Sequence, residues 1–262
     1  MMNSNQTQNI TPYQDINDIL TMLSKYLKDI LDNQLVGVYL TGSLTYGDFD
    51  RGSSDIDFLV VSRSSLSDRQ REQVKNLHNQ IAEKYPLWAK RIECSYITED
   101  MLENIEPPIN SRPYINGGQM WNPDPPYGNE WMLNLYVLYE SGIALVGPDP
   151  KILINHPINI ELVREASRKD FHQEWEPLLK DSSSLQDSHF QAYVILTLCR
   201  ILHRAKNDKV ASKKVASAWV KKLYSKTWHH LIEAAENWQH GQEMNKIEET
   251  LNFIRFISTE IN

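Results

Sequence analysis

Asp55 and Asp57 stand two residues apart at the head of a hydrophobic run, Ile56-Asp57-Phe58-Leu59-Val60-Val61. In an extended strand, residues i and i+2 leave the same face, so the spacing predicts two carboxylates side by side with Ile56 turned the other way. Two such groups repel at neutral pH unless a cation lies between them. Magnesium suits the pair, being a hard ion that takes one or two carboxylates together with substrate phosphates. Upstream, Gly42-Ser43 ends the alternating run Val36-Gly37-Val38-Tyr39-Leu40. A residue without Cβ lets the backbone approach a phosphate, and a hydroxyl with exposed amides can bind it. Ser54, beside Asp55, offers a second hydroxyl. Phosphoryl or nucleotidyl transfer asks a protein mainly for alignment and charge neutralisation, and these groups supply both.

A third acid, Glu93, lies in the run Arg91-Ile92-Glu93-Cys94-Ser95-Tyr96. Alternation directs Ile92 and Cys94 to one side and Glu93 to the other. On a neighbouring strand it can ligate metal or take the proton from an attacking hydroxyl. An Asp-x-Asp pair by itself is usually a solvated strand end. The strand, Gly-Ser turn and Gly-rich loop ahead of it, and the hydrophobic strand after it, are what point to metal binding.

The elements that must position these residues follow from periodicity. Apolar residues from Ile16 to Leu31 recur at helical spacing, predicting a helix over about 13–31. Strands are expected at 36–40, 56–61 and 91–97, with a helix over 67–85 between the last two. Residues 106–128 hold six prolines with Gly117, Gly118 and Gly128, which predicts a long ordered loop without regular structure. A helix over 129–141 and a strand at 143–146 come next, closed by Gly147-Pro148-Asp149-Pro150. Beyond that turn the patterns are helical (160–179, 188–207, 213–222, 227–240 and 244–261), as expected of a helical bundle. The fold class expected is therefore an α/β (α+β) domain with a mixed sheet over residues 1–150, followed by an all-α helical domain over 151–262.

Composition sets the outer limits. With 41% hydrophobic and 23% charged residues, the chain reads as globular, and no apolar run approaches the roughly 20 residues of a membrane span. The polar start, Met1 to Thr11, lacks the basic and apolar segments of a secretory signal and reads as a frayed tail. Cys94 and Cys199 sit far apart in apolar segments, as reduced thiols packed in a cytoplasmic protein would. The net charge of −7 argues against a general nucleic-acid binder and suits a neutral or cationic small-molecule partner. No membrane partner is expected, and the protein is expected to act as a monomer.

At Gly42-Ser43 and Asp55-Ile56-Asp57 the sequence resembles the DNA polymerase beta-like nucleotidyltransferase superfamily. The segments Gly142-Ile143-Ala144-Leu145-Val146-Gly147-Pro148, Val194-Ile195-Leu196-Thr197-Leu198-Cys199-Arg200 and Lys209 to Trp219 narrow the resemblance to the aminoglycoside 3''- and 9-adenylyltransferases, which modify streptomycin and spectinomycin. The resemblance implies transfer of AMP from ATP to an antibiotic hydroxyl. It implies that Asp55, Asp57 and Glu93 hold Mg2+, with Glu93 as catalytic base, and that Gly42, Ser43 and Ser54 meet the triphosphate. Lys213 would reach the phosphates and Arg200 would line the cleft. Glu130 matches a family acid, Trp238 an aromatic that covers the nucleotide, and Trp121 an aromatic that positions the acceptor. One departure stands out. Where relatives place an acid that binds the cationic drug, this chain has Phe190, and Asp187 is the nearest substitute, about one helical turn earlier. Two other readings stay open: the same chemistry on a lincosamide, another sugar or a protein side chain, or a nucleotide sensor without turnover.

Overall fold

The computed structural model describes residues 10–261 apart from Ser53, Asn104, Asp208 and His240. The expected frayed tail lies outside the described residues up to residue 9, and its end is not frayed. Thr11 is buried, its backbone amide donating to Asn17 Oδ1 at 2.9 Å. This local bond satisfies polar groups where the chain enters the first helix.

The described chain divides into two compact units. One runs up to Tyr127 and takes in Val137–Pro157; the other comprises Gly128–Tyr136 and the chain from Ile158 onward.

The first unit is built on helix α1 (Gln14–Leu31), strand β1 (Leu35–Thr41), strand β2 (Ile56–Ser62), helix α2 (Asp68–Lys84) and strand β3 (Ile92–Thr98). In α1, Ile16, Ile19, Leu20, Leu23, Leu27 and Leu31 form one stripe, and each is at most 2% exposed. Their burial contributes about 1.5–3 kcal/mol apiece before conformational entropy is subtracted. A capping box starts α2: Ser67 Oγ accepts from the Gln70 amide while Gln70 Oε1 accepts from the Ser67 amide.

The 106–128 stretch departs from expectation. It contains a small hairpin, β4 (Tyr114–Asn116) and β5 (Gln119–Met120), turned by Gly117 and Gly118 at φ 63° and 78°. A Gly-Gly pair tolerates the two positive φ values that a tight hairpin turn needs, so regular pairing survives among the prolines. Helix α3 (Glu130–Ser141), strand β6 (Ile143–Val146) and the short helix α4 (Pro150–Leu153) follow. The sheet order is β5-β4-β3-β2-β1-β6, with β2 and β3 parallel and the other neighbours antiparallel. It is a mixed sheet, as expected. One face carries Val38, Leu40, Ile56, Phe58, Val60, Ile92, Cys94 and Tyr96 into a core shared with α1 and α2.

The second unit packs α5 (Ile160–Asp170), α7 (Lys213–Leu223), α8 (Ser225–Glu236) and α9 (Ile247–Glu260) around α6 (Ser188–Lys206). Val194, Ile195, Leu198, Cys199, Ile201 and Leu202 of α6 are wholly buried, which makes it the central helix. The helix expected over 160–179 is broken. A π turn over Phe171–Trp175 and a 3-10 turn over Glu176–Leu179 replace its second half. Pro177 has no N–H to give and clashes with regular helix in the preceding turn. Both cysteines are buried free thiols, and burial pushes Cys94 up to about 12.

Candidate active site

Strand register builds the first cluster. Thr41 pairs with Asp57 across β1 and β2, and Asp57 pairs with Glu93 across β2 and β3. Residues directly opposite in a sheet share a face, so both acids leave the side away from the α1 and α2 core. The turn after β1 closes on them. Gly42 has φ +67°, and a Cβ added there would lie 1.8 Å from Asp57 Oδ2. Glycine is required on two grounds, the left-handed backbone and the carboxylate packed against it. Ser43 follows in the same 3-10 turn.

The loop between Ser43 and Asp55 is tied down at its far end. Ser54 Oγ accepts from the Asp50 amide at 3.0 Å, and Asp50 accepts from the Gly52 amide. Arg91 donates to the carbonyls of Arg51 and Ser54, and its guanidinium lies 3.7 Å from Asp55. Arg51 makes a two-pronged contact with Asp15, at 2.8 and 2.7 Å, and Trp88 Nε1 donates to the same carboxylate. The Arg51 hydrogen bond is the main reason that Asp15 falls to about 2; Trp88 adds to it against the opposing effect of burial. Asp55 thus precedes its strand with its carboxylate beside Arg91, while Asp57 and Glu93 are register neighbours.

These donors fit a hard divalent cation. They are carboxylate oxygens without thiolate or imidazole. Among the described residues no three His, Cys, Asp or Glu side chains are gathered as a metal cage. Magnesium does not need one, because phosphate oxygens and water usually complete its shell around one or two carboxylates.

Glu93 has a partner that the sequence pattern did not point to. Tyr114 on β4 donates its hydroxyl to Glu93 Oε1 at 2.7 Å. Burial first, then the charge of Glu93, pushes the Tyr114 pKa upward, so the phenol keeps its proton. The sequence did hold a signal: Tyr-Ile-Asn, Gly-Gly, Gln-Met reads as a hairpin that returns to the sheet. Trp121, 49% exposed, packs edge-on against Tyr114 with ring centroids 5.5 Å apart.

The second unit gathers other expected residues. Arg204 of α6 is buried, its Nε donating to Ser167 Oγ at 2.9 Å. Burial, and then the charge of Arg200 one turn away, lower its pKa to about 9. Asp170, which takes a hydrogen bond from Trp175 Nε1 at 3.0 Å, is shifted upward by burial, with the charges of Glu130 and Glu174 adding to the shift. Arg200 is half-buried, and its Nε has no hydrogen-bond partner among the described atoms. Lys213 begins α7 after the Ser212 cap, with its ammonium 5.1 Å from the Tyr193 ring centre. Glu130, Arg200 and Lys213 therefore fall around one group of charged and aromatic side chains. Asp170 and Trp175 belong to it and carried no sequence signal.

Two expected residues lie at the other end of α6. Asp187 is its N-cap, accepting from the Phe190 amide at 2.6 Å. Trp238 stacks at a tilt on His189 and donates Nε1 to Gln242 O at 2.9 Å. His189 and Arg200 are about 16 Å apart along the helix at 1.5 Å per residue.

Comparison with known proteins agrees with both halves. Residues 20–110 match a nucleotidyltransferase domain, and residues 161–260 match the aminoglycoside adenylyltransferase C-terminal domain. Together the two models cover well over half of the chain. The chain belongs to the aminoglycoside adenylyltransferase family.

Members of this family are nucleotidyltransferases, and this one is an enzyme of that class. The family relatives include spectinomycin 9-adenylyltransferase of Staphylococcus aureus, 27% identical over 228 residues and 83% of each chain. The enzyme of that name from Enterococcus faecalis is 28% identical over 231 residues and 79% of each chain. Among solved structures, the enterococcal spectinomycin adenyltransferase AAD(9) with ATP and spectinomycin matches at a TM-score of 0.71 and 22% identity, covering 93% of this chain and 98% of that one. That match supports the fold of this family member.

Proposed function

We propose that the enzyme transfers AMP from ATP to a hydroxyl of spectinomycin, with release of pyrophosphate. The observation that carries the reading is the contact between the Gly42 turn and Asp57, with Glu93 next to Asp57 in register. A phosphate-approaching turn and a pair of hard donors then share one sheet face. Asp55 and Asp57, with Glu93 beside them, would hold magnesium. When bound, the ion neutralises the triphosphate and fixes the line of attack. The amides and hydroxyls around Gly42, Ser43 and Ser54 cradle the phosphates. Glu93 takes the proton of the acceptor hydroxyl, whose oxygen then attacks the α-phosphorus while pyrophosphate leaves.

The first unit supplies the transfer chemistry in this reading, and the helical unit supplies nucleotide and acceptor contacts. Lys213 and Arg200 add positive charge for phosphates, Glu130 acts near them, and Trp238 presents an indole to the base. Trp121 gives the acceptor an exposed aromatic surface. The spectinomycin-modifying relatives favour spectinomycin over streptomycin. ATP supply and two buried thiols suit the cytoplasm, and no helix among the described residues is long and apolar enough to cross a membrane. A monomer suffices, since every residue invoked lies in one chain.

Phe190 supports a second reading with a different acceptor. It is an apolar residue where drug-binding relatives have an acid, and Asp187 already caps α6. Expression in a susceptible bacterium distinguishes the two. Spectinomycin transfer should raise resistance to that drug, with little change for streptomycin or kanamycin. Susceptibility to all three, with the protein present at normal level, would move the assignment to another acceptor.

A further inference from the structure

Glutamate reaches its substrate through three rotatable bonds, so a glutamate base works best when another group fixes its head. Tyr114 is built for that. Its hydroxyl oxygen accepts from Asn116 Nδ2 at 2.8 Å, which turns the phenolic proton toward Glu93 Oε1 at 2.7 Å. Its ring lies 4.9 Å from the Arg112 guanidinium, with Trp121 edge-on at 5.5 Å. Arg112 cannot easily move, being 6% exposed. It donates to Ser95 Oγ and to the carbonyls of Pro125 and Pro126, and it packs 3.5 Å from the Tyr127 ring centre. The backbone joins in, because the Trp121 amide donates to the Tyr114 carbonyl at 2.8 Å.

We propose that Tyr114 is a positioning residue, fixing the Glu93 carboxylate and tying it to the aromatic surface at Trp121. The proposal rests on the reading of Glu93 as base. The hairpin thereby links support to chemistry, since the prolines and Arg112 hold it and it holds the base. A residue on the acceptor's aromatic platform is then one side chain away from the group that takes the proton.

Five enzymes test this: wild type, Tyr114→Phe, Glu93→Asp, the Tyr114→Phe/Glu93→Asp double variant and Glu93→Gln, assayed by pyrophosphate release with ATP and spectinomycin. Shortening Glu93 by one methylene withdraws its carboxylate from the phenol. Tyr114→Phe alone is expected to lower kcat about tenfold, with KM for both substrates within about twofold. In the Glu93→Asp background the same change should cost less than about twofold, because the contact is already lost. Melting temperature and calorimetric affinity for spectinomycin should not change with Tyr114→Phe. Wild-type kcat in Tyr114→Phe, or an equal loss in both backgrounds, overturns the proposal. A rise in spectinomycin KM at unchanged kcat also overturns it, making Tyr114 an acceptor contact. Full turnover by Glu93→Gln retires the reading of Glu93 as base, and the Tyr114 proposal falls with it.

Discussion

In the sheet unit, Asp57 and Glu93 are neighbours because β2 and β3 pair in register and alternation sends both to the face away from α1 and α2. In the helical unit, Asp170 and Arg204 lie within each other's field because α5 packs on α6, which buries Arg204 and half-buries Asp170. The first arrangement is fixed by backbone pairing over a few residues. The second depends on how whole helices meet, and its charges are held where burial works against them. In the proposed mechanism, groups that act on phosphorus sit on strand ends and a glycine turn, and groups that supply contacts sit on helix faces.

Gly42→Ala strikes hardest at this division. The backbone there is left-handed and the new methyl would meet Asp57, so transfer should fall by about 10²–10³-fold. Strain should lower stability by about 1–3 kcal/mol in urea denaturation. Activity near wild type would mean that the turn and Asp57 do not work together. Next in size is Lys213→Met in the helical unit. Loss of one charged phosphate contact should weaken kcat/KM for ATP about tenfold, with melting temperature unchanged, since the ammonium begins a helix on the surface. A loss as large as that of Gly42→Ala would erase the distinction between the units.

A milder change is expected at Asp187. Asparagine caps a helix about as well as aspartate, so Asp187→Asn keeps the bond to the Phe190 amide and removes only the charge. If Asp187 holds a cationic acceptor, KM should rise about twofold to fivefold at constant stability, the worth of one exposed ion pair. An unchanged KM would leave it as a helix cap and no more.

How much was legible follows the same division. The strands bearing Asp57 and Glu93 could be read because period-two alternation is local, and pairing then supplied the rest. The β4–β5 hairpin was obscured because six prolines outweigh one Gly117-Gly118 turn in any compositional window, and with it went the bond from Tyr114 to Glu93. Asp55 was expected beside Asp57, and two-residue spacing could not foresee that Arg91 would approach its carboxylate. In the helical unit, periodicity identified the helices and the buried stripe of α6. Pro177 was a local sign that a helix over 160–179 could not run through unbroken, but nothing local revealed that the turn after α5 would set Trp175 against Asp170. Such partners are chosen by packing between helices, which no short window of sequence contains.

The proposed mechanism turns on Glu93, beside Asp57 on one sheet face, taking the proton from the acceptor. Pyrophosphate release by wild type and Glu93→Gln with ATP and spectinomycin, alongside calorimetry of ATP binding, tests it without intermediaries. Wild type should release pyrophosphate only when the drug is present. Glu93→Gln should be slower by at least about 10²-fold while binding ATP within about twofold of wild type. Turnover by Glu93→Gln at the wild-type rate would mean that some other group, or none, removes that proton.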